Sequence, residues 1–225
     1  MKKLATLAVL AALSAACAKG APPRPTLTTE DDKTVYAIGV ALARSIQPLQ
    51  LSPTELELVV AGLREGSAGK AELTVESRQV QIQQFAQGRR SRMGQAESKK
   101  GTEYLAKAAK EPGAVTSASG LVYIPIKEGT GAPPKASYTV KVNYTGRLVD
   151  GTVFDASERH GGPATFPLSG VIPCWTEGVQ KLKVGGRARL VCPAAIAYGD
   201  HGAGSEIPPG ATLDFEVELV GIVSK

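Results

Sequence analysis

At 225 residues, with 26 Lys and Arg against 21 Asp and Glu for a formal charge of +5, the chain has room for one large domain or two small ones. It holds no apolar run long enough for a mature transmembrane helix. No basic block is interleaved with aromatic residues, which argues against nucleic acid as a partner.

Residues 1–16 read as an export signal. Lys2 and Lys3 form the basic start, Leu4 to Leu13 the apolar stretch, and Ser14, Ala15 and Ala16 a small-residue cleavage site. Cys17 follows directly, as in the lipobox of bacterial lipoproteins, although Ser14 stands where that box prefers leucine. Ordinary signal-peptidase cleavage is the alternative. On the lipobox reading Cys17 is lipidated. Residues 17–29, with Pro22, Pro23 and Pro25, then form an extended tether. Similarity to bacterial lipoproteins implies an outer-membrane anchor facing the periplasm, because Ala18 is not the aspartate that retains such proteins on the inner membrane. An oxidising compartment would let Cys174 and Cys192 pair as a disulfide; two buried free thiols fit the sequence equally.

Residues 30–112 are helical by pattern. Val35, Ile38, Leu42 and Ile46 recur at helical spacing, with Thr29 as N-cap and Pro48 after the last turn. Ser52-Pro53-Thr54-Glu55 opens a second helix with a capping box and a proline at its first position. Leu56, Val59, Val60 and Leu63 form its apolar stripe, and Gly66 and Gly69 close it. A third helix, from about Thr74 to Lys110, is long and sparsely apolar, which suits a solvent-bridging linker. Gly88, Gly94 and Gly101 each weaken it by about 1 kcal/mol relative to alanine and predict bending. Its arginines and glutamines read as a solvated face.

Composition changes after Glu111-Pro112-Gly113. Val140, Val142 and Tyr144 alternate with polar residues, as do Leu213, Phe215, Val217 and Leu219, which is strand periodicity. Asp150-Gly151 is a hairpin-turn signal, and Trp175, Val179 and Leu182 place one apolar face on a short helix. Many strands and one short helix predict an α+β domain over 113–225, an antiparallel sheet packed on a helix. Most of the aromatic residues fall here, including the only tryptophan. Aromatic side chains bury large areas with fixed shape, so the block reads as a preformed apolar pocket.

Conventional catalytic sets are missing. His160 and His201 lie in glycine-rich loops without ligand-spaced partners, so no metal site is expected. Nothing marks Ser157 or Ser169 as an activated nucleophile. Gly185-Gly186 and the glycines from 199 to 204 lack the strand–loop–helix setting of a phosphate cradle. No cofactor is called for, and the reaction must need neither a covalent intermediate nor a metal.

Five collinear motifs fall between residues 142 and 219: Val142-Asn143-Tyr144-Thr145-Gly146, Phe154-Asp155, Val171-Ile172-Pro173-Cys174-Trp175, Ala197-Tyr198-Gly199, and Leu213 to Leu219. Together they resemble the FKBP-type peptidyl-prolyl cis–trans isomerases. The resemblance implies a pocket floor at Trp175 and walls at Tyr144, Phe154, Val171, Ile172 and Phe215. It implies a flap at Ile207, a polar group at Asp155 beside the twisting amide, and hydrogen bonds donated to substrate carbonyls by the Tyr198 hydroxyl and the Ile172 N–H. Asp155, Tyr198 and Phe154 would be the catalytic residues, proline-containing unfolded chains the substrates, and macrolide inhibitors further ligands. The helical part resembles the dimerisation module of the macrophage-infectivity-potentiator branch, which implies a homodimer through residues 30–112.

Two departures from the family pattern stand out. Ala164 occupies a place where many members carry a pocket-wall phenylalanine, and Cys174 replaces the glycine before the tryptophan. Macrolide affinity and substrate preference follow less directly from the resemblance for that reason. The rival readings are a holdase chaperone that binds clients through the helical part, and a peptide-binding adaptor at the envelope.

Overall fold

The computed structural model describes residues 25–224. The export signal, Cys17 and most of the tether lie outside the described residues. The chain divides after Val40 into two compact units.

Helix α1 spans Glu30–Ile46. Thr29 caps it reciprocally: its hydroxyl accepts the Asp32 N–H at 3.0 Å, and the Asp32 carboxylate accepts the Thr29 N–H at 2.8 Å. A proline-containing turn, Gln47–Leu49, leads to α2, Pro53–Ser67, which opens on the predicted capping box with both bonds formed between Ser52 and Glu55. Such a cap is worth about 1 kcal/mol. Helix α2 runs through Gly66, and the chain turns at Gly69, whose φ is +65°. Neither α1 nor α2 contains a buried residue. The apolar stripes predicted for them are formed, yet Val35, Ile38, Leu42, Leu56 and Leu63 all lie exposed.

Helix α3, Val75–Ala108, starts at Thr74, whose hydroxyl accepts the Ser77 N–H. It is one uninterrupted element of 34 residues. Its polar surface is not wholly solvated. Arg89 pairs with Glu55, donates to the Gln50 carbonyl at 3.2 Å, and lies 4.8 Å over the Phe85 ring. This ties α3 to the start of α2.

Seven strands follow: β1 Val115–Thr116, β2 Val122–Lys127, β3 Thr139–Leu148, β4 Val153–Ala156, β5 Ala164–Pro167, β6 Arg187–Cys192 and β7 Leu213–Ser224. All pairings are antiparallel, in the order β1-β2-β6-β7-β3-β4, with β5 also on β3. The one α-helix among them is α4, Pro173–Val179.

The alternation of each strand sorts its side chains between two faces. Leu190 of β6, Leu213, Val217 and Leu219 of β7, and Val140 and Val142 of β3 form the core with Trp175 and Val179 of α4. The opposite face receives the end of α3: Ala108, Tyr104 and Leu105 pack with Val122, Ile124 and Val191. A polar lock borders this second cluster. Arg189 donates from Nε to both oxygens of Asp214 (2.8 and 2.9 Å), from Nη1 to both oxygens of Glu111 (2.8 and 2.9 Å), and from Nη2 to the Tyr104 hydroxyl at 2.9 Å. Tyr104 in turn donates to Asp214. Although burial works against its charge, the facing carboxylates hold the Arg189 guanidinium firmly protonated. Forked contacts of this kind suit arginine geometry and are strong when shielded.

Candidate active site

Aromatic rings from α4, β3, β4, β5 and β7 meet in and against the core cluster as a box. Trp175 comes from α4, whose first turn carries Pro173 and whose Trp175 and Thr176 N–H groups donate to the Ile172 carbonyl at 2.9 and 3.1 Å. Trp175 meets Tyr144 of β3 at a centroid distance of 5.1 Å, Phe215 of β7 at 5.3 Å and Phe166 of β5 at 5.8 Å, each nearly perpendicular. Phe154 of β4 stands edge-on to Phe215 at 5.5 Å. Edge-to-face pairs of this kind add about 0.5–1.5 kcal/mol beyond area burial.

Glycine makes this packing fit. Gly146 sits in register with Phe215 on one side and Asp155 on the other. A β-carbon there would come within 2.6 Å of Phe154 and 2.8 Å of Phe215, so the two rings cross over a bare backbone. Phe166 was not singled out from the sequence, although its period-2 relation to Ala164 was visible. Both residues are partly buried and pack on the core cluster.

The bridge between Cys174 and Cys192 fastens the helix carrying Trp175 to the end of β6; their Cα atoms are 5.8 Å apart and 18 residues separate them in sequence. A loop of that size is stabilised by about 3 kcal/mol in the chain-entropy account. Both cysteines are fully buried. The Trp175 indole N–H is buried with no acceptor in the protein, which costs about 1–3 kcal/mol.

One polar group borders the box. Asp155 accepts the Tyr144 hydroxyl at 2.7 Å and the Ala156 N–H at 2.8 Å, and its other neighbour is His160 Nε2, also at 2.8 Å. Burial opposes ionisation of Asp155, but these hydrogen bonds outweigh it and hold the carboxyl below the ordinary range. Burial first, then the adjacent carboxylate, pushes the Tyr144 phenol well above its usual range. Sequence reading left His160 without a partner. It reaches Asp155 across the short turn Ser157–His160, a five-residue separation that no strand or helix period announces.

The remaining candidates differ in burial. Val171 and Ile172 are partly buried against the core, and Ile207 is buried. Ile207 exchanges backbone hydrogen bonds with Ala203 at 2.8 and 3.0 Å, closing a tight flap. Tyr198 is exposed, close enough to Tyr144 to add to the upward push on its phenol. Among the described residues, no group of three or more His, Cys, Asp or Glu is placed to hold a metal ion.

This geometry has relatives. Residues 131–220 match the family model of FKBP-type peptidyl-prolyl cis-trans isomerase, and residues 31–124 match the domain amino terminal to it. An FKBP-type peptidyl-prolyl cis-trans isomerase FkpA of Aeromonas hydrophila is 41% identical over 213 residues, covering 89% of this chain and 79% of the relative. The outer membrane protein MIP of Legionella longbeachae is 36% identical, covering 98% and 97%. The crystal structure of FkpA from Escherichia coli superposes with a TM-score of 0.67 at 37% identity, covering 88% of this chain and 99% of that one. The chain belongs to the FKBP-type peptidyl-prolyl cis–trans isomerase family.

Proposed function

We propose that this isomerase accelerates X–Pro rotation in proteins folding in the bacterial envelope, as a homodimer tethered through a lipid on Cys17. The observation that carries the catalytic part is the box of Trp175, Tyr144, Phe154 and Phe215 bordered by the Tyr144–Asp155 pair.

An X–Pro bond rotates unaided in tens to hundreds of seconds, behind a barrier of about 18–20 kcal/mol that arises from amide resonance. The planar amide is polar and well hydrated. Twisting localises the nitrogen lone pair and lowers that polarity, so a dry aromatic enclosure favours the twisted state over the planar one. A gain of three to four decades in rate needs about 4–6 kcal/mol of such preference.

In this reading the proline ring rests on Trp175 between Tyr144, Phe154 and Phe215, with Val171 and Ile172 at the rim and Ile207 above. Twisting withdraws nitrogen donation and leaves the carbonyl carbon electron-poor. The Asp155 carboxylate, held ionised and aimed by Tyr144, favours that change. The Ile172 N–H and the Tyr198 hydroxyl donate to substrate carbonyls and fix the chain on either side of the bond.

The dimer rests on the apolar residues that α1 and α2 leave in solvent and on the match of residues 31–124. The anchor rests on the Cys17 motif and on the name of the Legionella relative. Outside the flap, a cavity of about 650 Å³ lined by Ile46, Pro48, Leu51, Leu56, Met93 and Pro208 supports holding of unfolded segments as an added activity.

Turnover of a short X-Pro peptide in a protease-coupled assay tests the catalytic reading. Activity in the mature chain, slowed in Asp155→Ala and Tyr198→Phe, is expected. An intact protein that leaves the uncatalysed rate unchanged would refute it.

A further inference from the structure

The flap that carries Ile207 does not stand free. Its return arm, residues 208–212, runs between the pocket side and the body of α3. Gly210 has φ +71°, and a β-carbon on it would lie 2.6 Å from the Gly94 carbonyl oxygen. Two turns further along α3, a β-carbon on Gly101 would lie 2.9 Å from the Thr212 Cβ and closer still to its hydroxyl. Thr212 and Gly101 are both buried. At Gly101 any side chain would overlap Thr212, whereas at Gly94 a first carbon would rest in van der Waals contact with Pro209 and only a longer side chain would press on the arm.

The arm is connected to both polar and apolar parts of the site. Ile207, at its start, packs in the core cluster with Trp175. The Gly210 N–H donates to the Gly199 carbonyl at 2.9 Å, which fixes the loop holding Tyr198. Beyond Thr212 the chain enters β7 and reaches Phe215 three residues later. Displacing the arm would therefore shift Ile207 and Tyr198 together. The end of α3 is in turn tied to the sheet, because Tyr104 and, just past the helix, Glu111 bond to Arg189 and Tyr104 also bonds to Asp214. Gly94, Gly101, Tyr104 and Ala108 form one helical stripe, the first two without side chains where the arm passes and the last two with side chains where the sheet begins.

We propose that Gly94 and Gly101 of α3 are positioning residues for the isomerase pocket, setting the height of the Ile207 flap and the Tyr198 loop through their close packing against Pro209, Gly210 and Thr212. The proposal rests on the isomerase reading of the pocket. It makes the linker helix a wall of the site rather than a spacer, so that strain in the helix is felt as a change in substrate affinity.

The test uses the mature chain and steady-state isomerisation of a short X-Pro peptide. Gly101→Ala is expected to raise KM about tenfold with kcat changed less than twofold, although alanine favours helix more than glycine does. Thr212→Gly opens the facing space, and the Gly101→Ala/Thr212→Gly double variant is expected to bring KM back to within about threefold of Thr212→Gly alone, as a direct steric coupling requires. Gly88→Ala is the control for helix propensity, because nothing lies within 4 Å of that position. Gly94→Val pushes on Pro209 from a site with ordinary van der Waals room for a first carbon, 3.6 Å from the Pro209 Cβ; it provides the same KM readout should Gly101→Ala fail to fold. An unchanged KM in whichever of the two folds, or a KM rise in Gly101→Ala that the double variant does not reverse, would overturn the proposal. An inactive wild-type chain would instead overturn the isomerase reading itself.

Discussion

The sheet region and the α1–α2 region obey the same patterning rules and end in opposite states. In the sheet, alternating apolar residues on β3, β6 and β7 find α4 on one face and the end of α3 on the other, and a core forms in which Leu190, Leu213, Val217 and Leu219 are fully enclosed. In α1 and α2 the helical periodicity and the caps are equally well formed, yet Leu42, Leu56 and Leu63 remain in solvent. Correct local structure makes an amphipathic helix; only a second surface makes it stable, since most helical stability in proteins comes from packing the apolar face. Two short helices bury too little on their own. The contrast is that the sheet buries its apolar residues within the chain, whereas α1 and α2 leave theirs exposed, which is the feature the proposed dimer would account for.

The contrast can be broken most forcefully at the sheet. Trp175→Ala should cost about 3–5 kcal/mol in chemical denaturation and lower turnover of an X-Pro peptide at least a hundredfold; a variant with normal kcat/KM would remove Trp175 from the pocket floor. Replacing both Cys174 and Cys192 by alanine should lower stability by about 3 kcal/mol, with the midpoint of urea unfolding as the measure. Arg189→Ala leaves Asp214 with Tyr104 as its remaining side-chain donor, and a loss of about 1–3 kcal/mol is expected; a loss under about 1 kcal/mol would mean the lock at the α3 end carries little.

Smaller effects sharpen the other side of the comparison. Leu56→Asp with Leu63→Asp should halve the mass of residues 18–225 in light scattering while leaving turnover of a short peptide within about twofold. A wild-type mass of one chain would end the dimer reading. Ser52→Ala removes one cap and should cost about 1 kcal/mol. Finally, Asp155 is held below its ordinary pKa in the fold. Its contribution to stability is therefore complete above the unfolded value of about 3.9 and is lost as pH falls through the lower folded value. Asp155→Asn should flatten the acid limb of the stability curve.

Several of these features were legible in the sequence for stated reasons. Ser52 and Glu55 announce a helix start because a capping box is local, and the strand alternation around Tyr144 and Phe215 reports a half-buried sheet. What could not be read depends on distant approach. Gly94 and Gly101 look like weak points in a helix until the flap arm lies against them. Arg89 looks solvated until Glu55 of α2 and the Gln50 carbonyl just before it arrive. His160 and Asp155 meet across an irregular turn with no period, and the pairing of Cys174 with Cys192 depends on a Cα separation that spacing along the chain does not contain.

Trp175 is the only tryptophan in the chain, and it is buried beside the Cys174–Cys192 bridge with its indole N–H unmatched. All indole emission from this protein therefore originates among the rings of Tyr144, Phe166 and Phe215. A ligand that enters, a bridge that opens or a flap that lifts each changes the surroundings of that one fluorophore, so occupancy can be followed optically in the unlabelled protein without any added dye.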